Sequence, residues 1–398
     1  MTTAEQRPSS RSPPDMVLRR RKDSMGAKDA THRSLTKRKR ARSLERRTWM
    51  WPLYVVLGVL AIYAVHPFES NPVHNFLLLS YRIPESGQGQ PAQYGKGLWD
   101  VAFVGFYVVL LTVTSRFCIQ ELLHPLARVL GIRARAKRVR FAEQMYTALY
   151  ILVMGPWGLF VMRHTPVWYF DAHDMFAAYP HRTLDASLKA YYLVQAAFWL
   201  QQVVVMVLGL EQRRKDFKEF VAHHVVTVSL IALSYRFHFT HIGIAVYITH
   251  DISDFFLAVS KSLNYLQFKY QGPPFAICIA AWIYLRHYIN LGILYSLRPQ
   301  GEFSTVGPYE LKWDAQQYKS PLSNVITFTL LAMLQSLNLF WLYCLMRSAY
   351  RLIFKGIAKD DRSEDEEPTE ITLNTATEHG NGNTQGLSQP AQRKSRRP

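Results

Sequence analysis

The chain has 398 residues, a formal net charge of +18, 49% hydrophobic residues and 13% aromatic residues. Its mean hydropathy is near zero only because long apolar blocks are averaged with two very polar tails. The blocks exclude a string of water-soluble domains and argue for one membrane-embedded body. The three cysteines, Cys118, Cys278 and Cys344, lie in or beside apolar segments, which excludes a disulfide framework.

Residues 1–47 hold fifteen Lys/Arg against five Asp/Glu and no hydrophobic periodicity. They read as a disordered basic cytosolic tail that orients the first span and touches anionic lipid, in preference to a nucleic-acid patch at Lys37 to Arg42. A spanning helix needs about 20 mostly apolar residues. Eight segments qualify: 50–67, 98–118, 142–162, 188–210, 218–236, 242–261, 275–297 and 322–347. The loops support this set. The second is basic (Arg128, Arg133, Arg135, Lys137, Arg138, Arg140), as is the fourth (Arg213, Arg214, Lys215, Lys218). The first and third are poor in basic residues, and such alternation puts both termini in the cytosol. Trp49, Trp51, Trp157 and Trp168 fall at or near span ends. Past the last span, Asp360-Asp361 and Glu364 to Glu367 open an acidic, polar tail, with Ser363 placed as a candidate for acidophilic phosphorylation.

The expected fold is an all-α polytopic membrane protein. Its parts are the tail 1–47, the first two spans with their connections (48–135), a membrane domain including the last span (136–352), and a disordered cytosolic tail (353–398).

Two central spans carry ionisable residues that hydrocarbon tolerates only at a protein interior or wet cavity. The fifth holds His223 and His224; the sixth holds His250, Asp251 and Asp254. Helical geometry puts His223, Thr227 and Ser234 on one face, with His224 about 100° round. His250 and Asp254 are four apart and Asp251 and Asp254 three apart, forming a polar edge expected to face the histidine helix, with Lys261 continuing it. A carboxylate beside an imidazole fixes its tautomer and makes a general base. A metal centre needs more ligands at closer repeats than this lone His-His pair offers, so no metal is expected.

The words His223-His224-x-x-Thr227-x-x-Leu230-Ile231-x-x-Ser234-Tyr235 and His250-Asp251-x-Ser253-Asp254, followed by Lys261, resemble the Lag motif of ceramide synthases, within the TLC membrane-domain group. Phe237-His238-Phe239-Thr240 and Ser260-Lys261-x-Leu263-Asn264-Tyr265-Leu266 are similar to its fungal branch. The likeness runs over about 140–350 and takes in Tyr191-Tyr192 with Gln195, Arg213-Arg214-Lys215-Asp216-Phe217 and Lys312-Trp313-Asp314. His241 departs from it, standing where relatives commonly carry Arg or Lys.

The resemblance implies an endoplasmic-reticulum enzyme that joins a fatty acyl-CoA to the amine of dihydrosphingosine or phytosphingosine. It implies a helical barrel built from the second to seventh spans, with the first and eighth lying outside. His223, His224, Asp251 and Asp254 are then the expected catalytic group. Thr227, Ser234, His250, Ser253 and Lys261 are expected at the substrates, and Arg213, Arg214 and Lys215 at the acyl-CoA phosphates. No resident cofactor is expected, acyl-CoA being a co-substrate. The implied partners are the bilayer, a small single-span subunit and a homo- or hetero-dimer, with no nucleic acid. Chain-length selectivity is associated in such proteins with the connection from Arg298 to Ser320. The alternatives are a non-catalytic TLC-domain protein of translocation or lipid regulation, which would not need both His and both Asp, and a proton-coupled transporter, whose repeated halves are missing from this sequence.

Overall fold

Backbone buried in lipid has to satisfy its own hydrogen bonds, and a helix does this within one segment. The computed structural model describes residues 48–84, 92–210 and 215–355, and all eight apolar blocks are helical. They are α1 (Met50–Val65), α2 (Trp99–Val129), α3 (Arg135–Arg163), α4 (Ala186–Val207), α5 (Phe217–Arg236), α6 (Thr240–Tyr265), α7 (Gly272–Ser296) and α8 (Pro321–Lys355). Helices α2 to α8 are long and apolar enough to cross a membrane, whereas α1 has 16 residues and falls short of the usual length. The tails, with Ser363, and Arg213 and Arg214 lie outside the described residues.

Helix ends differ from the hydropathy boundaries where polar residues extend a helix beyond its apolar stretch. Helix α3 starts at Arg135, so Arg135, Lys137, Arg138 and Arg140 occupy its first turns instead of a loop. It runs on through Pro156. Helix α8 continues to Lys355, well past the apolar limit at 347. Two helices contain a π-helical stretch, Cys118–Leu123 in α2 and Ile283–Ile289 in α7.

The core lies among α3, α4 and α6, with α6 packed most extensively against α3. Two adjacent tyrosines of α4 act as wedges, and each requires a glycine on a neighbouring helix. A Cβ at Gly158 of α3 would strike the Tyr191 ring, and one at Gly243 of α6 would strike the Tyr192 ring. Tyr150 of α3 stacks on Phe198 of α4 at 3.7 Å. Helix α1 leans on the outer side of α2 through Val56, Phe106 and Val113.

Helix α8 corrects one expectation. It does not lie outside the bundle but packs against α5 and α7, with Trp341 and Leu345 clustered on Trp282. Polar residues hold it there: Asn338 and Gln335, one turn apart, both face α7.

At the end of the bundle near the α5–α6 turn, a strap formed by residues 78–84 and 92–97 crosses the helices. Its strand β1 (Gln93–Tyr94) pairs antiparallel with β2 (Leu184–Asp185). The fully buried Lys189 of α4 anchors it, with an ion pair to Asp100 at 2.7 Å and bonds to the carbonyls of Ser80 (2.9 Å) and Gly95 (2.7 Å). Tyr235 of α5 donates to the same Asp100 at 2.8 Å. Lys96 meets His238 Nδ1 at 3.2 Å. Burial is the main reason the Lys96 amine is lowered to about 7, and burial with the Lys96 charge lowers His238 to about 4.

Candidate functional site

Between α5, α6 and α8 lies a cavity of about 1200 Å³, counting its open mouth. Its α5 wall is the predicted face: His223, Thr227, Leu230, Ile231 and Ser234. Helix α6 contributes Ile242, Val246 and His250, and α8 the row from Leu322 to Leu334. Exposed lining residues Leu311, Trp313, Leu322 and Ile326 mark where it opens, at the strap end of the bundle. Trp199, His223, His250 and Leu334 lie at the opposite, deep end. The lining is overwhelmingly apolar, with a few polar groups converging at depth, as in sites that take long hydrophobic ligands.

His223 sits in an aromatic slot, with the Trp341 ring 5.1 Å away and the Trp199 ring 5.8 Å away, both edge-on. Its Nε2 is 3.4 Å from Thr227 Oγ1, and its Nδ1 has no hydrogen-bond partner among the described residues. His224 points elsewhere: it does not line the cavity, and its Nδ1 donates to the Phe220 carbonyl at 2.8 Å.

His250 lines the cavity with both ring nitrogens engaged. A carbonyl can only accept, so Nδ1 at 2.8 Å from the Val246 oxygen carries the proton. Nε2 then accepts from Asn338 Nδ2 at 3.2 Å.

The carboxylates do not form the expected edge toward α5. Asp251 accepts from Gln195 Nε2 of α4, and Gln195 in turn is bonded by Tyr150 and donates to Tyr191, each at 3.1 Å. Asp254 is paired with Arg286 of α7 at 2.7 Å. Among the described residues, neither carboxylate hydrogen-bonds an imidazole. The physical reason is that α6 is flanked by α4 and α7 as well as α5, and those neighbours present the donors that a carboxylate needs.

Ser234 lines the cavity and is bonded to Tyr192, while Thr227 stands beside His223. Ser253 does not line it: Ser253 donates to the His250 carbonyl at 2.8 Å and accepts from Arg286 Nε at 2.5 Å. Lys261 lies about 15 Å along α6 from Asp251, away from the cavity. Lys215 is exposed just before α5.

Arg286 escaped the sequence reading. It is fully buried, and besides Asp254 and Ser253 it reaches Asn338 Oδ1 at 3.2 Å and the His250 carbonyl at 3.1 Å. It also stacks over Trp282 at 4.0 Å. The signal was present, since an arginine inside the apolar run 275–297 meets the same criterion that singled out His223.

Fold and site together define a multi-span helical membrane protein with a polar centre at the deep end of an apolar chamber. The chain belongs to the TLC-domain family: the model of that domain matches residues 140–347. It is 54% identical over 346 residues to a sphingosine N-acyltransferase-like protein, FUM17, of Gibberella moniliformis, covering 85% of this chain and 88% of that one. It is 44% identical to the sphingosine N-acyltransferase lac1 of Schizosaccharomyces pombe, over 81% and 82% of the two chains. To the ceramide synthase LAG1 of Saccharomyces cerevisiae it is 42% identical, over 80% and 76%.

Proposed function

We propose that this protein is a ceramide synthase, transferring a fatty acyl group from acyl-CoA to the amine of a sphingoid base in the endoplasmic-reticulum membrane. The observation that carries the reading is His223, an imidazole set into the wall of an apolar chamber with its Nε2 beside the cavity-lining Thr227. The similarity to sphingosine N-acyltransferases over most of the chain supplies the reaction class. The chamber shelters alkyl chain from water, each buried methylene contributing about 0.8 kcal/mol.

In the reaction the amine nitrogen attacks the thioester carbonyl, a C–N bond forms and the C–S bond breaks. His223 takes the proton from the amine and returns it to the departing CoA thiolate. His250 cannot take that part while Val246 and Asn338 hold both its nitrogens. Asp251 and Asp254 act on charge around the centre instead of orienting His223. The basic loops assign both termini, and Arg213, Arg214 and Lys215 just before α5, to the cytosol. That is the His223 end of the chamber, so the CoA phosphates are attracted there while the acyl chain runs along the chamber toward its mouth at the strap end. The reaction needs no resident cofactor.

The test uses microsomes from a strain lacking its own activity, given acyl-CoA and dihydrosphingosine. Amide formed by the wild type and lost in His223→Ala at equal protein level supports the assignment. Full activity in His223→Ala removes that residue from the chemistry. An acyl adduct on His223, trapped without sphingoid base, replaces direct attack by a two-step route through the imidazole.

A further inference from the structure

Within α7 the π-helical stretch Ile283–Ile289 changes what two neighbouring residues can do. In an α-helix, adjacent side chains point about 100° apart. Here the widened turn presents both Arg286 and His287 to α8, where Asn338 and Gln335 receive them. His287 Nδ1 meets Gln335 Nε2 at 2.6 Å. Such single-turn π segments are frequent at functional sites, because the inserted residue re-aims a side chain at the cost of helix regularity.

The bonds of Arg286 run in one chemical direction. Its NH1 donates to Asn338 Oδ1, which fixes the Asn338 amide so that Nδ2 faces His250. That N–H occupies the lone pair of His250 Nε2, and the ring proton therefore sits on Nδ1, against the Val246 carbonyl. The other edge of the guanidinium holds Asp254, Ser253 and the His250 carbonyl on α6. One side chain on α7 thus orders groups on α6 and α8, the two helices that face His223 across the chamber.

We infer that Arg286, acting through Asn338, is a positioning residue for the transfer reaction: it fixes His250 in one neutral tautomer, so that the chamber offers His223 as its single proton-accepting imidazole. This role rests on the acyltransferase reading above. A released His250 would set a second basic nitrogen beside the reacting amine and let the α6 wall shift, and small displacements of a reacting centre are costly.

The role is distinguishable from plain ion-pair neutralisation of Asp254. The full chain is expressed in microsomes as wild type, Arg286→Lys, Asn338→Leu and the double variant Arg286→Met with Asp254→Asn. Protein level, thermal unfolding in detergent, kcat and KM for both substrates are measured. Arg286→Lys keeps a cation for Asp254 but has no fork to reach Asn338 as well. The double variant leaves no unpaired carboxylate behind. The expected result is normal protein level in both, with kcat reduced about tenfold to a hundredfold and both KM values little changed. Asn338→Leu, which removes the link without touching either charge, is expected to show the same loss of kcat.

Wild-type kcat in the double variant would reduce Arg286 to a partner for Asp254 and overturn the inference. Wild-type kcat in Asn338→Leu would overturn it equally. A wild-type protein that forms no amide at all is a different failure: it removes the acyltransferase reading, and this role with it.

Discussion

One step along α5 rotates a side chain by about 100°, and for His223 and His224 that step separates the chamber from the packing around Phe220. The two alanine variants should therefore differ in kind. His223→Ala is expected to lower kcat by about 10²- to 10⁴-fold, the range for losing a general base. His224→Ala is expected to retain more activity and to lose more thermal stability, because it empties a buried site between Phe220 and Trp199. Single-turnover rates and melting temperatures of the two purified variants check this pairing. The face carrying His223, Thr227 and Ser234 was legible from spacing along one helix. The partners of Asp251 and Asp254 were not, since helical periodicity says which residues share a face but not which neighbouring helix comes to lie opposite. Gln195 and Arg286 answered that question from α4 and α7.

Among the elements, hydropathy alone located the eight apolar helices of the described residues, seven of them long enough to cross a membrane, because about 20 apolar residues in a row have few other uses. It missed the polar turns that lengthen α3 and α8, and it could not see π segments, which leave no compositional trace. Close approach between helices is equally silent in hydropathy, yet it makes sharp predictions. Gly158→Ala and Gly243→Ala each gain about 1 kcal/mol of helix propensity. Both nevertheless drive a methyl into the ring of Tyr191 or Tyr192, which packing leaves no room to move, and overpacking costs about 1–3 kcal/mol. Both variants should melt below the wild type in detergent, and a compensating Tyr192→Phe should not rescue Gly243→Ala, because ring carbons as well as the hydroxyl stand in the way. The placement of α8 was missed for a related reason: nothing in the sequence pairs Asn338 and Gln335 with the Arg286 and His287 that face them across α7 and α8.

Across the whole molecule, stability is expected to follow the strap that joins α2, α4 and the α5–α6 turn. Its titrating groups are Lys96, lowered to about 7, and His238, lowered to about 4, both chiefly by burial. A lowered value means that the unfolded chain binds the proton first. Stability then rises with pH between the folded and unfolded values and is lost as pH falls through that window. For His238 the window runs from about 6.5 down to about 4, and for Lys96 from about 10.5 down to about 7. Melting temperature in detergent should climb from pH 7 to pH 10 in the wild type and climb less in Lys96→Met, the remaining rise belonging to Lys319, which burial lowers to about 8. A wild-type profile that falls over the same range would show that Lys96 is not held neutral by its burial.

The last helix has a consequence of its own at this scale. Because α8 both walls the chamber and carries Asn338, it cannot swing away to widen the cavity without pulling that amide off His250 and Arg286. Widening the chamber from the α8 side and disordering the reactive centre would therefore be one movement, and the entry for a lipid tail that leaves the centre intact is the mouth lined by Leu311, Trp313, Leu322 and Ile326.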